Sequence, residues 1–316
     1  MAAPLATVGI LSIGSMGLGI AKLLVAHQYR VITNVSNRSA ATQKRAQEAN
    51  LGLVQTDKEL VDKSDYILSI VPPRDAVATA SRIIQTFSET PPPRQSSSSP
   101  LYYLDLNAIA PSTASSIAKS FSQHVPSIRF IDGGIIGGPP SPNADSTTWK
   151  RPGIPLSGPF PLHDAEPSGA HLAEVLYTEY LGSDIGSASG LKCCFAALSK
   201  GWTALAIQSF GTAASLGVLP SLRRYLDEFS PSTAQRAAKG IEGCPGKAYR
   251  WVDEMKEIGV CFETEGGWRE QARVFRQIAG VYEGLAEVVE RRGGTEGMGN
   301  VDGILGAVQG GLGKRE

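Results

Sequence analysis

Two stretches of the chain combine residue types and spacings that could do chemistry. The first is GILSIGSMGLG, Gly9–Gly19, in which Ser12, Gly14 and Gly17 follow the pattern small-x-Gly-x-x-Gly after an apolar run. A turn of this kind leading into a helix brings backbone N–H groups and the positive helix end up to a phosphate. The second is SASGLKCCFAALSKGW, Ser187–Trp202, where Lys192 and Lys200 are the only formal charges between Asp184 and Arg223. A helix through this stretch is apolar nearly all round, and such helices are buried. A lysine inside one is paired, neutral or used for proton transfer.

The first stretch reads as a dinucleotide fingerprint with Ser12 in the place of its first glycine, and Ser15 and Met16 between the two that remain. Twenty residues beyond Gly17 lies Asn37, followed by Arg38 and Ser39. An acid at that distance would hydrogen-bond a ribose 2′-hydroxyl, whereas a guanidinium between neutral donors suits a 2′-phosphate. The expected cofactor is therefore NADP, with NADPH preferred over NADH. The competing reading of Arg38 is a solvent-facing turn.

The elements around these stretches are strands and helices in alternation. Apolar runs at Thr7–Ile13, Arg30–Ser36, Asp65–Pro73, Leu101–Asn107 and Ile128–Ile136 read as strands, and helical segments separate them. This predicts an α/β fold, with an N-terminal Rossmann-type doubly wound parallel sheet. After about Gly186 only helical periodicity remains, so an all-α C-terminal domain follows. The expected domains are residues 1–185, binding NADP, and 186–316, for substrate and dimerisation. In the second, Trp268, Ala272, Phe275, Ile278, Ala279, Tyr282, Leu285, Ala286 and Val289 form one apolar stripe. Ala248, Trp251, Val252, Met255 and Ile258 form another, expected to stop at Gly259. The Gly-rich tail after Arg291 is expected to be only partly ordered. Residues 88–100 and 137–153, rich in Pro, Ser and Gly, read as surface insertions.

Thirty basic residues balance thirty acidic ones, so neither nucleic acid nor a membrane is an expected partner. Cys193, Cys194, Cys244 and Cys261 form no CxxC pair and no metal spacing, which points to a reducing compartment and the cytoplasm. The apolar N-terminus lacks a basic n-region and is broken by glycines, unlike a secretory leader. The four histidines, His27, His124, His163 and His171, sit near no nucleophile motif, and no metal site is expected.

With these residues in view the chain resembles, over nearly its whole length, the β-hydroxyacid dehydrogenases, the group of 3-hydroxyisobutyrate and 6-phosphogluconate dehydrogenases. Four segments carry the resemblance in order: GILSIGSMGLG, VPP at Val71–Pro73, DGGIIGG at Asp132–Gly138, and GSASGLK ending at Lys192. The helical half looks most like a branch whose members mostly lack an assigned substrate. The resemblance implies that Val71, Pro72 and Pro73 pass the cofactor, with Asn107 nearby. It implies that Asp132, Gly133, Gly134, Ile136 and Gly137 meet the substrate, and that Lys192 is the general acid and base. Backbone N–H groups of the glycines at 133, 134, 137 and 138 would take a substrate carboxylate.

Two departures stand out. Ile136 replaces the family's usual serine, and Ala196 an asparagine four residues beyond the lysine. Lys200, Asn107 and Trp149–Arg151 are candidates to supply the lost hydrogen bonds. At ideal helical spacing Lys200 lies ~80° around and ~12 Å along from Lys192, so pairing with an acid of the helical domain competes with a substrate role. The expected function is hydride transfer between NADPH and a small hydroxy acid or its carbonyl form. Imine reduction and non-catalytic, regulatory NADPH binding remain as alternatives. A homodimer is expected to cover the apolar helix.

Overall fold

The computed structural model describes residues 3–36, 38–89, 99–144 and 148–312, and divides into two compact units, Met1–Lys192 and Cys193–Glu316. In the first, the strands are β1 (Thr7–Leu11), β2 (Arg30–Asn34), β3 (Gly52–Val54), β4 (Tyr66–Ser69), β5 (Leu101–Asp105), β6 (Ile128–Gly133), β7 (Ser141–Pro142), β8 (Trp149–Lys150), β9 (Ile154–Ser157) and β10 (Thr178–Tyr180). Its helices are α1 (Ser15–Ala26), α2 (Ala40–Glu48), α3 (Asp57–Lys63), α4 (Ala76–Glu89), α5 (Pro111–His124) and α6 (Gly169–Leu176).

Among the described residues eight strands form one sheet in the order β10-β9-β6-β5-β4-β1-β2-β3. The six from β3 to β6 run parallel in the doubly wound order 3-2-1-4-5-6, and β9 then pairs antiparallel to β6. Strands covered on both faces need apolar side chains on both. Accordingly Val8, Ile10, Tyr66 and Leu68 enter one buried cluster, while Leu11, Ile32, Ile67 and Tyr103 enter the other. The segment 137–153 is more ordered than an open loop: β7 and β8 make a short antiparallel hairpin. Of the other expected insertion, residues 90–98 lie outside the described residues.

Helix α7 (Ser187–Ala196) carries the unit boundary between Lys192 and Cys193. A π-helical stretch at Ala197–Gly201 leads into α8 (Trp202–Ser215). Because it inserts wider turns before Lys200, ideal α-helical counting from Lys192 does not apply. Within one chain this apolar helical stretch is not covered on all sides: Phe195, Leu198, Leu205 and Leu216 are about half or more exposed. The rest of the second unit comprises α9 (Leu219–Phe229), α10 (Pro231–Glu242), α11 (Ala248–Thr264), α12 (Val274–Arg291) and α13 (Val301–Leu312).

Three expectations need correction here. Helix α11 runs through Gly259 to Thr264. A Cβ at Gly259 would make only ordinary contact with Phe275, 3.5 Å away, so the site has room for a side chain and the glycine ends nothing. The apolar stripe of α12 starts at Phe275, since Trp268 is 58% exposed and both it and the buried Ala272 precede the helix. The tail folds as α13, which buries Val301, Ile304 and Leu305 at helical spacing. No helix among the described residues is long and apolar enough to cross a membrane.

Candidate active site

The turn between β1 and α1 is built around one close approach. A Cβ on Gly17 would stand 2.2 Å from the Ser12 carbonyl oxygen, so only glycine fits there. Ser12 holds φ +83°, the left-handed backbone that a glycine would adopt freely. The sequence departs from the fingerprint at this point while the backbone keeps its shape. Gly14 precedes α1 with nothing within 4 Å of where a Cβ would be. No side chain caps α1 and no acid stands in its first turn. Uncovered N–H groups, a helix dipole and an open glycine fit the pyrophosphate of a dinucleotide. Ser15 is exposed there, and Met16 packs against the core.

At the end of β2, Asn34 accepts hydrogen bonds from the Ser36 backbone N and Oγ, and donates to Asp57. Gln43 donates to the carbonyls of Val35 and Arg38, fixing the turn. Ser39 caps α2 by accepting from the Thr42 N–H, and Arg38 is exposed. Asn37 lies outside the described residues. At the end of β4, Val71 and Pro72 are partly exposed and Pro73 is buried at the start of a short 3-10 turn. Asn107 secures this loop: its Oδ1 accepts from Val71 N at 2.7 Å and its Nδ2 donates to Ser69 Oγ at 3.0 Å. The Asn107 amide is thus engaged within the fold, 2% exposed.

The segment after β6 meets α7. A Cβ on Gly134 would lie 2.8 Å from Lys192 Cβ, so this glycine lets the helix settle against the loop. Lys192 Nζ donates to the Ile135 carbonyl at 2.5 Å, and its side chain is half-buried. Gly133 packs between Leu106 and Leu156. The N–H groups of Gly134 and Ile136 are taken by the carbonyls of Pro155 and Gly153. The backbone donors expected for a carboxylate therefore narrow to the exposed Gly137, at φ +129°, and Gly138, which has open space around it. Ile136 is half-buried and paired through its backbone with Gly153.

Asp132 does not face outward. It is fully buried and its carboxylate accepts from Ser157 Oγ (2.9 Å), Gly186 N (2.9 Å), Ser189 N (3.2 Å) and Ser189 Oγ (2.5 Å). Beside it in register on β5 is Asp105, also fully buried, which accepts one backbone hydrogen bond from Asn107. Its Oδ2 has no hydrogen-bond partner among the described residues. Burial pushes the Asp105 carboxyl up to about 7, with the Asp132 charge adding to the rise and Asn107 opposing it. Burial raises Asp132 as well, opposed by its donors Ser189, Ser157 and Gly186.

Lys200 is engaged elsewhere. Its ammonium pairs with Glu254 of α11, each side chain 13% exposed, and lies 5.5 Å from the centre of the Trp251 ring. That is the pairing alternative. Arg151 donates to the carbonyls of Glu174 and Val175 at the end of α6 and stacks on Tyr177, while Trp149 packs on the core. Ser157 and Ser189 were not foreseen. Ser189 could have been, as a small hydroxyl three residues before the lysine on its helix. Nothing in the sequence around Ser157 distinguishes it.

Residues 7–90 match the family described as "NADP oxidoreductase coenzyme F420-dependent", and residues 213–285 match a domain of unknown function, DUF1932. An uncharacterized 28.5 kDa protein of Methanothermus fervidus is 25% identical over 68% of this chain and 76% of its own. Among solved structures, a 3-hydroxyisobutyrate dehydrogenase from Salmonella typhimurium superposes with a TM-score of 0.59 at 15% identity, covering 95% of this chain and 99% of its own. A reductive aminase from Aspergillus terreus, solved with NADPH, gives 0.52 at 23% identity over 96% and 98%. The chain thus joins an NADP-oxidoreductase-type N-terminal segment to a DUF1932 helical segment, in the fold shared by 3-hydroxyacid dehydrogenases and imine-reducing enzymes.

Proposed function

We propose that this protein is an NADPH-dependent oxidoreductase that interconverts a small hydroxy acid and its carbonyl form, with Lys192 moving the proton. The observation that carries the reading is the position of Lys192, hydrogen-bonded to Ile135 beside Gly134, on the same compact unit as the uncapped glycine turn at α1. Ser12, Gly14, Ser15 and Gly17 would hold the pyrophosphate, and Arg38 and Ser39 the 2′-phosphate. A bound nicotinamide supplies the hydride in such chemistry. Lys192 gives a proton to the carbonyl oxygen in reduction and takes it from the hydroxyl in oxidation. Gly137 and Gly138 offer the backbone at which a substrate carboxylate would rest.

The test is NADPH consumption across a panel of small 2- and 3-oxo acids and aldehydes, with Lys192→Ala as control. Consumption that persists in that variant refutes the role of Lys192. Calorimetric titration of both cofactors with Arg38→Ala tests the preference, and equal NADH and NADPH binding refutes it. Imine reduction is the second reading. Ile136 and Ala196 favour it, because neither supplies the hydroxyl or amide that would hold a hydroxy acid. Cyclic imines in the same panel decide between the two, and tight NADPH binding with no turnover at all would favour a regulatory protein. A homodimer would cover the exposed apolar side chains Phe195, Leu198, Leu205 and Leu216. A monomeric mass by light scattering refutes it. The reducing cytoplasm is the setting proposed for the four free thiols.

A further inference from the structure

Asp132 stands at a junction that the proposed reaction does not by itself explain. Four donors converge on its carboxylate, and three of them belong to Gly186 and Ser189 at the start of α7. The fourth, Ser157 Oγ, also accepts from the Ala188 N–H at 3.1 Å, so the backbone N–H groups at the head of the helix are gathered by two side chains from the sheet. A helix begins with N–H groups that have no partner in the helix itself, and a negative charge there also meets the positive end of the dipole. Less than two turns further on, Lys192 reaches back to Ile135, three residues beyond Asp132 in the chain. The end of β6 and the loop after it therefore grip α7 at two levels, by the Asp132 carboxylate at its head and by the Ile135 carbonyl at Lys192. Gly134 between them leaves no room for even a methyl group.

Asp105 alongside makes the arrangement asymmetric. Two carboxyl groups in register on neighbouring strands resist being ionised together. Asp132 accepts four hydrogen bonds, whereas Asp105 accepts one at Oδ1 and none at Oδ2 among the described residues. The negative charge belongs on Asp132, and the proton on Asp105.

We propose that Asp132 is a positioning residue for Lys192: its carboxylate, assisted by Ser157 and Ser189, fixes the head of α7 so that the lysine is held against the loop after β6. The interest of this rests on Lys192 being the proton carrier, but the test does not require turnover.

The test is competitive reductive methylation of the full-length protein with ¹³C-formaldehyde, with Lys192 identified by its loss in Lys192→Arg. In Asp132→Asn the labelling rate of Lys192 rises at least fivefold, while Lys58 and Lys63 of the same unit keep their rates. Amide exchange of residues 187–190 rises with it. Ser189→Ala, which removes one hydroxyl and leaves the charge, shows the same selective effect at about twofold and serves if Asp132→Asn does not fold. Unchanged Lys192 labelling, or a rise shared by all lysines, overturns the proposal. Where a substrate is found, kcat falls in both variants with NADPH affinity unchanged, and an unchanged kcat overturns it. If no substrate is found, the proposed reaction fails and the labelling still decides the positioning.

Discussion

Replacing Asp105 with asparagine should change how the stability of the protein depends on pH. The side chain is fully buried, and burial lifts its carboxyl from the ordinary 3.8 to about 7. A carboxyl whose folded pKa exceeds its unfolded value takes up a proton on folding. Its contribution is intact below the unfolded pKa and is lost as pH rises through the folded one. At ~1.4 kcal/mol per pH unit, a rise of this size corresponds to ~4 kcal/mol. Asp132 titrates alongside, so the pair sets the curve and the expected reading is about 2–4 kcal/mol. Asparagine keeps the shape and the acceptor for the Asn107 N–H but cannot ionise. Urea unfolding of wild type and Asp105→Asn, run from pH 4.5 to 8, is the assay. Near pH 4.5 the two should be close in stability, and by pH 8 the variant should be the more stable by that amount. A difference that does not change with pH, or wild type gaining on the variant as pH rises, would refute the reasoning.

Three further outcomes follow from contacts described above. Gly17→Ala places a methyl group 2.2 Å from the Ser12 carbonyl oxygen; it should cost about 3 kcal/mol in urea unfolding and weaken NADPH binding at least tenfold by calorimetry. Ser12→Gly removes the cost of a serine at φ +83°; after the extra freedom of an unfolded glycine is subtracted, the gain should be about 1 kcal/mol, seen as a raised urea midpoint. Glu254→Gln removes the carboxylate charge from the buried pair with Lys200 and should cost about 3 kcal/mol. The double change Lys200→Met with Glu254→Leu should recover most of that loss, and no recovery would mean that packing rather than charge is at stake.

The parallel sheet was legible because its strands are apolar runs punctuated by turns and separated by helices; its order, 3-2-1-4-5-6, was not, because the same alternation fits other doubly wound orders. The glycine turn was legible too, although Ser12 hid the fact that its backbone behaves as a glycine. The meaning of Gly259 was not. A helical glycine need not end its helix, and α11 continues through this one to Thr264. Asp132 shows a deeper limit. Its motif pointed at the substrate, but the partners that make it a helix anchor, Ser157 and Ser189, are 25 and 57 residues away. Long-range hydrogen bonds leave no periodic trace. Lys200 was readable as one of two roles, and the acid it pairs with lies 54 residues on, in α11.

The approach of Gly19 to the hairpin has a mechanical corollary. A Cβ on Gly19 would lie 2.9 Å from Pro140 Cδ and 3.1 Å from Pro139 Cβ, so α1 and the segment that follows Gly138 touch with no slack. Prolines cannot yield by rotating φ. At Pro139 and Pro140 the chain therefore lacks the φ rotation by which it could move aside from α1. Any side chain at position 19 would have to push this proline pair aside, so the seam between α1 and the segment after Gly138 is fixed by the absence of one methyl group.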